Sequence, residues 1–495
     1  MLTFYSCEGK NVYRHFYRER QKMHLYKKLG LILIAILCFA GNAIANDPVR
    51  YLAFQFFTGS FDSDILRKAF PPPPTDLRRT VIDLRDHIGV AGMNDRQLGF
   101  ILGLISFDNS DENVRKLIAA GFDIALDTGV AVGFHIDDSM FWGRLKQLNT
   151  ADNVEWRDWL GTLNTGRRLD WGLEPMKIMP QLCINSTDVK EAVSERATLI
   201  GEEVATGIKK LAAVHRDDLF LGVIAGSETQ IGRDFDTGKY LGYCALTNAG
   251  YSANNPPTDM DSARSKIIME FIGFWARSLI GAGVPEGKVY SHIAYKSSKT
   301  YGLANRAVPY LQLINFTPPA IAFCDQCVPG FSTYPELGHL EQWQEELNRH
   351  GDPSWASCEG TAIDPVQAAL SGKGADMEGY LGSLFNHGAV LVNLYGWGVG
   401  DDNNPFRKTA EGENALAAYR KFLAGEALHE APAIPPQASL IDNVHKVQAE
   451  VPGWIQKNGP AQVKDNLEQL DKALKEKHFD AAAQAATAIL RTIEK

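Results

Sequence analysis

The sequence predicts an α/β protein folded as a (β/α)8 barrel, the TIM-barrel class, with a small helical extension at its C-terminal end. Three observations lead there. Eight short apolar runs, starting near residues 51, 100, 131, 219, 288, 320, 354 and 389, alternate with segments of helical periodicity. The runs are continuously apolar, as in parallel strands covered on both faces, rather than alternating with period two. Long connections follow several of them, which suits a closed barrel, and no G-x-G-x-x-G opens a helix after the first run, so an open dinucleotide-binding sheet loses its main signal.

The elements follow in order. Residues 1–22 are polar and basic, and Met23 is the better-placed start. From there Lys27 and Lys28, the apolar run Leu29 to Ala40, and Ala43-Ile44-Ala45 read as a secretory signal cleaved after Ala45. The run is too short to span a bilayer comfortably. The mature chain is therefore expected in the periplasm or secreted, with no stable membrane insertion after signal cleavage. The barrel is expected over residues 46–428. It opens on the aromatic strand Tyr51 to Gly59, then the extended tract Pro71 to Pro74 and a helix over Thr80 to His87. Phe100 to Phe107 is the second strand and closes on Asp108. Ser110 can cap the next helix, which stops at Gly129. Ala131 to Ile136 is the third strand, followed by a long Trp-rich excursion with Trp142, Trp156, Trp159 and Trp171. Loops this long in compact domains are usually functional.

A helix over residues 187–214 leads into the fourth strand, Leu219 to Ala225. Asp259 to Gly281 is helical, with Ile267, Ile268, Phe271, Ile272 and Trp275 on its buried side. Lys288 to Tyr295 is the fifth strand and Ala320 to Cys324 the expected sixth. A helix over Leu337 to Arg349 precedes the seventh strand, Ser354 to Cys358, and a helix over Pro365 to Leu384 precedes the eighth, Ala389 to Tyr395. Ala410 to Leu423 closes the cycle as a helix. Pro432, Pro435 and Pro436 mark a linker, and residues 440–495 read as short helices broken at Asn458-Gly459-Pro460.

Size and charge narrow the function. The 495 residues are 45% hydrophobic, enough for one large core plus a small accessory piece. A net charge of −9, with no dense Lys/Arg block beyond the N-terminus, argues against nucleic acid or an anionic membrane as partner. Past the signal remain Cys183, Cys244, Cys324, Cys327 and Cys358. Cys324-x-x-Cys327 is the candidate loop-stapling disulfide, with free thiols the alternative, because nothing supplies the helix of a redox motif or the second pair of a zinc site.

Two stretches carry the chemistry. Leu221 to Gln230 reads LGVIAGSETQ and puts Glu228 just past the fourth strand; Trp355 to Thr361 reads WASCEGT and puts Glu359 past the seventh. In a closed barrel both tips face one cleft. In these features the chain resembles the (β/α)8 retaining glycoside hydrolases, whose acid/base glutamate follows strand four and whose nucleophile follows strand seven. The resemblance covers residues 48–425 and implies that Glu228 is the acid/base, Glu359 the nucleophile and Trp397 the aromatic floor beneath the sugar. Ser227 stands where the family commonly has Asn, and the Tyr or His expected from strand six has no match in residues 320–324; His292 and Tyr295 come from the fifth strand instead. A retaining pair lies about 5–5.5 Å apart, with the negative neighbour holding up the pKa of the acid.

Further candidates for sugar contact are Asp137 and Asp138, grouped with His135 and Trp142, and Asp325 after the expected sixth strand. The alternative reading of Asp137 and Asp138 is an Asp that caps the next helix. No cofactor and no metal are expected, and the oligomeric state is open. A non-catalytic carbohydrate-binding barrel, or a metal-dependent barrel hydrolase using Asp137, Asp138 and His292, are the alternatives.

Overall fold

The computed structural model describes residues 48–57, 74–89, 91–93, 95–169, 176–294, 319–334, 339–362, 375–430, 447, 451–475, 485, 486, 488, 489, 492 and 493. The expected signal segment, Tyr295, Trp171 and the proline linker lie outside the described residues.

Eight parallel strands form the barrel: β1 (Arg50–Phe57), β2 (Arg96–Ile105), β3 (Ala131–Ile136), β4 (Phe220–Ala225), β5 (Val289–Ser291), β6 (Gly330–Ser332), β7 (Trp355–Gly360) and β8 (Ala389–Leu394). Hydrogen-bonded order follows chain order, with β8 beside β1. Parallel bridges Tyr290 to Val328 and Ile293 to Phe331 join β5 to β6 and close the ring. β3, β4 and all but the first residue of β1 are buried throughout, the continuous burial that their apolar runs imply.

The longer helices of the barrel region are α1 (Leu77–Ile88), α2 (Asp111–Thr128), α3 (Thr187–Ala212), α4 (Met260–Gly281), α5 (His339–Arg349), α6 (Met377–Phe385) and α7 (Glu413–Leu423). Local signals set their ends. Ser110 accepts from the Asn113 N–H ahead of α2, and Gly129 ends that helix at φ 71°, where a left-handed residue is needed. Asp259 accepts from the Asp261 and Ser262 N–H groups at the start of α4. One continuous core runs through the strands and the faces of the helices turned toward them.

The sixth strand differs from the sequence expectation. Pro319–Ala322 forms a 3-10 turn, and β6 lies at Gly330–Ser332. The apolar run AIAFC follows Pro318 and Pro319, which favour a turn, whereas the true strand is three residues flanked by Pro329 and carrying Gly and Ser, poor strand formers by propensity. Packing selects it. A Cβ on Gly330 would stand 2.0 Å from the Ser291 carbonyl oxygen and 2.5 Å from Cys358 Sγ, so only glycine lets β5, β6 and β7 approach. Gly330→Ala is therefore expected to lower stability by about 1–3 kcal/mol, read as a lower urea midpoint. Cys324 and Cys327 are joined by a disulfide ahead of β6.

One excursion sits beyond the C-terminal strand ends. Arg167–Leu169, Met176–Ile178 and Arg233–Asp234 pair as a small antiparallel sheet that ties the loop after β3 to the loop after β4. Val447, Val451, Val463, Leu470, Ala486 and Ile489 of the C-terminal region form a separate hydrophobic cluster. Among the described residues, no helix is long and apolar enough to cross a membrane.

Candidate active site

Strand β4 ends in a sharp turn. Gly226 has φ 115°, and Glu228 itself has φ 53°, the left-handed region that costs a non-glycine residue about 1–2 kcal/mol. Neighbouring strands hold it there. The Thr229 N–H donates to the His292 carbonyl at 3.2 Å, the Glu228 N–H points at His292 Nδ1 at 3.4 Å, and Ser332 Oγ donates to Glu228 Oε1 at 2.7 Å. Glu228 is 8% exposed.

Glu359 lies inside β7 rather than beyond its tip, in register with Ser332 of β6. The Thr333 N–H donates to its carbonyl at 2.7 Å, and Tyr334 Oη donates to its Oε1 at 2.7 Å. Ser332 and Tyr334, two residues apart at one strand end, thus each hold one of the two carboxylates. Burial and the charge of Glu228 push the Glu359 carboxyl well above its ordinary range, while the Tyr334 hydroxyl pulls it back. Burial, with the Glu359 charge next, likewise makes Tyr334 and Tyr395 harder to ionise. Two buried carboxyls in mutual electrostatic contact disfavour carrying both charges at once.

Tyr334 is the aromatic hydroxyl that the sequence comparison lacked: it follows the true sixth strand. Tyr334→Phe removes the hydroxyl that stabilises ionised Glu359, so any activity that needs Glu359 ionised is expected to shift its acid limb to higher pH, by about one unit for one charge-assisted hydrogen bond, in a pH–rate profile.

The other expected site residues divide. His292, fully buried at the end of β5, joins the site through Ser332 at 2.9 Å. Asp137 and Asp138 are each 1% exposed. Asp137 accepts from the Met140 and Phe141 N–H groups at 3.3 and 2.8 Å, the turn-capping arrangement. Asp138 lies with Thr229 beside Gly226, against the Glu228 turn, and its pKa is raised chiefly by burial. Trp142 is fully buried in the core and donates Nε1–H to the Pro180 carbonyl at 2.9 Å. Trp397 packs edge-on against Phe54 and His87, on the α1 side of β1.

Asp325 is corrected. It precedes β6 instead of following it, so it lies at the N-terminal end of the strands, exposed and paired with Arg277 near the end of α4.

Ser332, Tyr334, Tyr395, Gln55 and Asn393 were not singled out from sequence. Gln55 and Asn393 had a signal: each interrupts an otherwise apolar strand, and Asn393 donates inside the barrel to Gln55 Oε1 at 2.9 Å and to the Cys358 carbonyl at 2.7 Å.

No protein-family model and no curated protein matches the chain. Among solved structures it is similar to the catalytic domain of a β-amylase from Paenibacillus polymyxa, at 9% identity and TM-score 0.47, over 76% of this chain and 99% of that one. It is also similar to a catalytic mutant of a GH42 β-galactosidase from G. stearothermophilus, at 10% identity and TM-score 0.43, over 82% and 64%. A D-psicose 3-epimerase from Clostridium cellulolyticum is similar at 11% identity and TM-score 0.32, over 76% and 97%. Such likenesses are too distant to carry an activity. The fold class rests on the chain itself: a closed (β/α)8 barrel with one glutamate after β4 and one at the end of β7.

Proposed function

We propose that the chain is an exported retaining glycoside hydrolase acting on a β-linked oligo- or polysaccharide, with Glu228 as acid/base and Glu359 as nucleophile. The observation that carries this is the paired arrangement: two carboxylates from β4 and β7, electrostatically linked and each held by a hydroxyl from one end of β6. Export rests on the leader-like segment at residues 23–45.

The chemistry assigns each group a task. Glu228, protonated, gives its proton to the departing glycosidic oxygen while ionised Glu359 attacks the anomeric carbon. With Glu359 esterified, its charge is gone and the pKa of Glu228 falls, so Glu228 becomes the base that activates water. Tyr334 donates to Glu359 Oε1 and steadies the ionised nucleophile. Tyr334 and Tyr395, both half-buried beside Glu359, offer a sugar-facing wall, and fully buried Trp142 does not. Asp137 and Asp138 contribute to sugar binding through the shape of the loops they cap and brace.

A panel of 2-deoxy-2-fluoro-β-glycosyl fluorides, followed by mass mapping of labelled peptides, tests the reading. A covalent label on the Glu359 peptide is expected. A label on another carboxylate overturns the assignment, and carbohydrate binding without label or turnover across the panel favours a non-catalytic binding barrel.

A further inference from the structure

A chain of buried hydrogen bonds crosses the barrel interior from β8 to the turn after β4. Asn393 Nδ2 donates to Gln55 Oε1 at 2.9 Å, and Gln55 Oε1 lies 3.1 Å from His135 Nδ1. His135 Nε2 lies 3.1 Å from His292 Nδ1, and His292 Nε2 lies 2.9 Å from Ser332 Oγ, the hydroxyl that reaches Glu228. Both rings are completely buried. Burial lowers both pKa values, that of His135 to about 4, and each ring therefore carries one hydrogen at neutral pH.

A neutral imidazole has one N–H and one bare nitrogen. His292 is placed to hold its hydrogen on either. Its Nδ1 faces a donor, the Glu228 N–H at 3.4 Å, and an acceptor, the Gly226 carbonyl at 3.3 Å. Its Nε2 faces a hydroxyl, which can give or take. His135 is more constrained: Nε2 lies 2.9 Å from the Gly226 carbonyl and Nδ1 3.1 Å from Gln55 Oε1, two acceptors between which its one hydrogen is placed. Ser332, with one hydroxyl hydrogen, cannot donate to both of its partners.

We propose that His292 is a positioning residue whose tautomer is linked, through Ser332, to the charge of Glu228. The inference rests on reading Glu228 as the proton carrier, and adds what keeps it oriented in both states. When Glu228 is ionised, His292 Nε2–H donates to Ser332, Ser332 donates to Glu228, and bare Nδ1 accepts from the Glu228 N–H or from His135. When Glu228 is protonated, its O–H donates to Ser332, Ser332 donates to bare Nε2, and Nδ1–H turns to the Gly226 carbonyl. One proton is added to Glu228 in this change. Each ring keeps a single hydrogen, so no imidazolium forms. The other titratable groups facing the chain are His135 and Asp138 at the end of β3, Cys358 and Glu359 of β7, and Tyr334 after β6.

The test uses the full, substrate-free chain, labelled with 15N in histidine and 13C in the glutamate carboxyls. Two-bond 1H–15N spectra report the His292 tautomer while the carboxyl shift follows Glu228 through a pH titration. The His292 hydrogen is expected on Nε2 when Glu228 is ionised and on Nδ1 when it is protonated, with no imidazolium signal. Ser332→Ala and Glu228→Ala are each expected to abolish the pH-dependent exchange, and Ser332→Thr, which keeps the hydroxyl, to restore it. A His292 tautomer that stays constant while Glu228 titrates, or an exchange that survives both alanine variants, overturns the proposal. Since no substrate is used, absence of glycoside hydrolysis with the linkage intact rejects the enzyme reading alone.

Discussion

A Glu359→Gln variant is expected to fold and to lose turnover by on the order of 10^4- to 10^6-fold, the scale seen when a covalent nucleophile is removed. The amide keeps the shape of the side chain and still accepts from Tyr334, but it cannot attack carbon. Steady-state hydrolysis of activated aryl β-glycosides measures the loss. Stability should move the other way. Burial first, and the Glu228 charge second, raise the folded-state pKa of Glu359 above its unfolded value, so folding favours the protonated form. For a carboxylate shifted in that direction, stability falls as pH rises from the ordinary carboxylate range up to the raised value. Glu359→Gln should flatten that slope in a series of urea denaturations across this window, with an unchanged or higher midpoint near neutral pH. Turnover that survives in the variant would remove Glu359 from the chemistry.

Glu228→Gln is expected to cost about 10^2- to 10^4-fold in kcat/KM on glycosides with poor leaving groups, the usual worth of a positioned general acid. Activated leaving groups such as nitrophenolate need little protonation, so their glycosylation step should be nearly spared, and deglycosylation should become rate-limiting. A comparison of alkyl and nitrophenyl glycosides of the same sugar shows this as a collapse of KM together with kcat on the activated substrate. Equal losses on both substrates would contradict the acid role. The left-handed backbone at Glu228 is fixed by bonds to His292, so the exchange leaves the turn in place.

Most of the barrel was legible because local rules and global packing agree. β3 runs from Ala131 to Ile136 as its apolar run implies, and Ser110 and Gly129 bound α2 by capping chemistry that can be read from the residue types alone. β6 was not legible. Its three residues have no apolar run, and only the approach of Ser291 and Cys358 around Gly330 makes them a strand. That displacement of ten residues moved Asp325 away from the site and brought Ser332 and Tyr334 into it. Trp142 misled for a different reason. It carries a large apolar surface and follows a strand end, yet packing places it fully in the core. Residue type marks a side chain as able to stack on a sugar; only tertiary contacts decide whether it is turned toward one.

The pairing of Glu228 with Glu359 is tested most directly by 13C titration of both carboxyls in the wild-type chain, in Glu228→Gln and in Glu359→Gln. Whichever carboxyl titrates second, beside a neighbour already charged, should have its midpoint well above the ordinary carboxylate range and lower it when that neighbour becomes Gln. Midpoints that move in neither variant would place the two carboxylates outside each other's field and contradict a shared site.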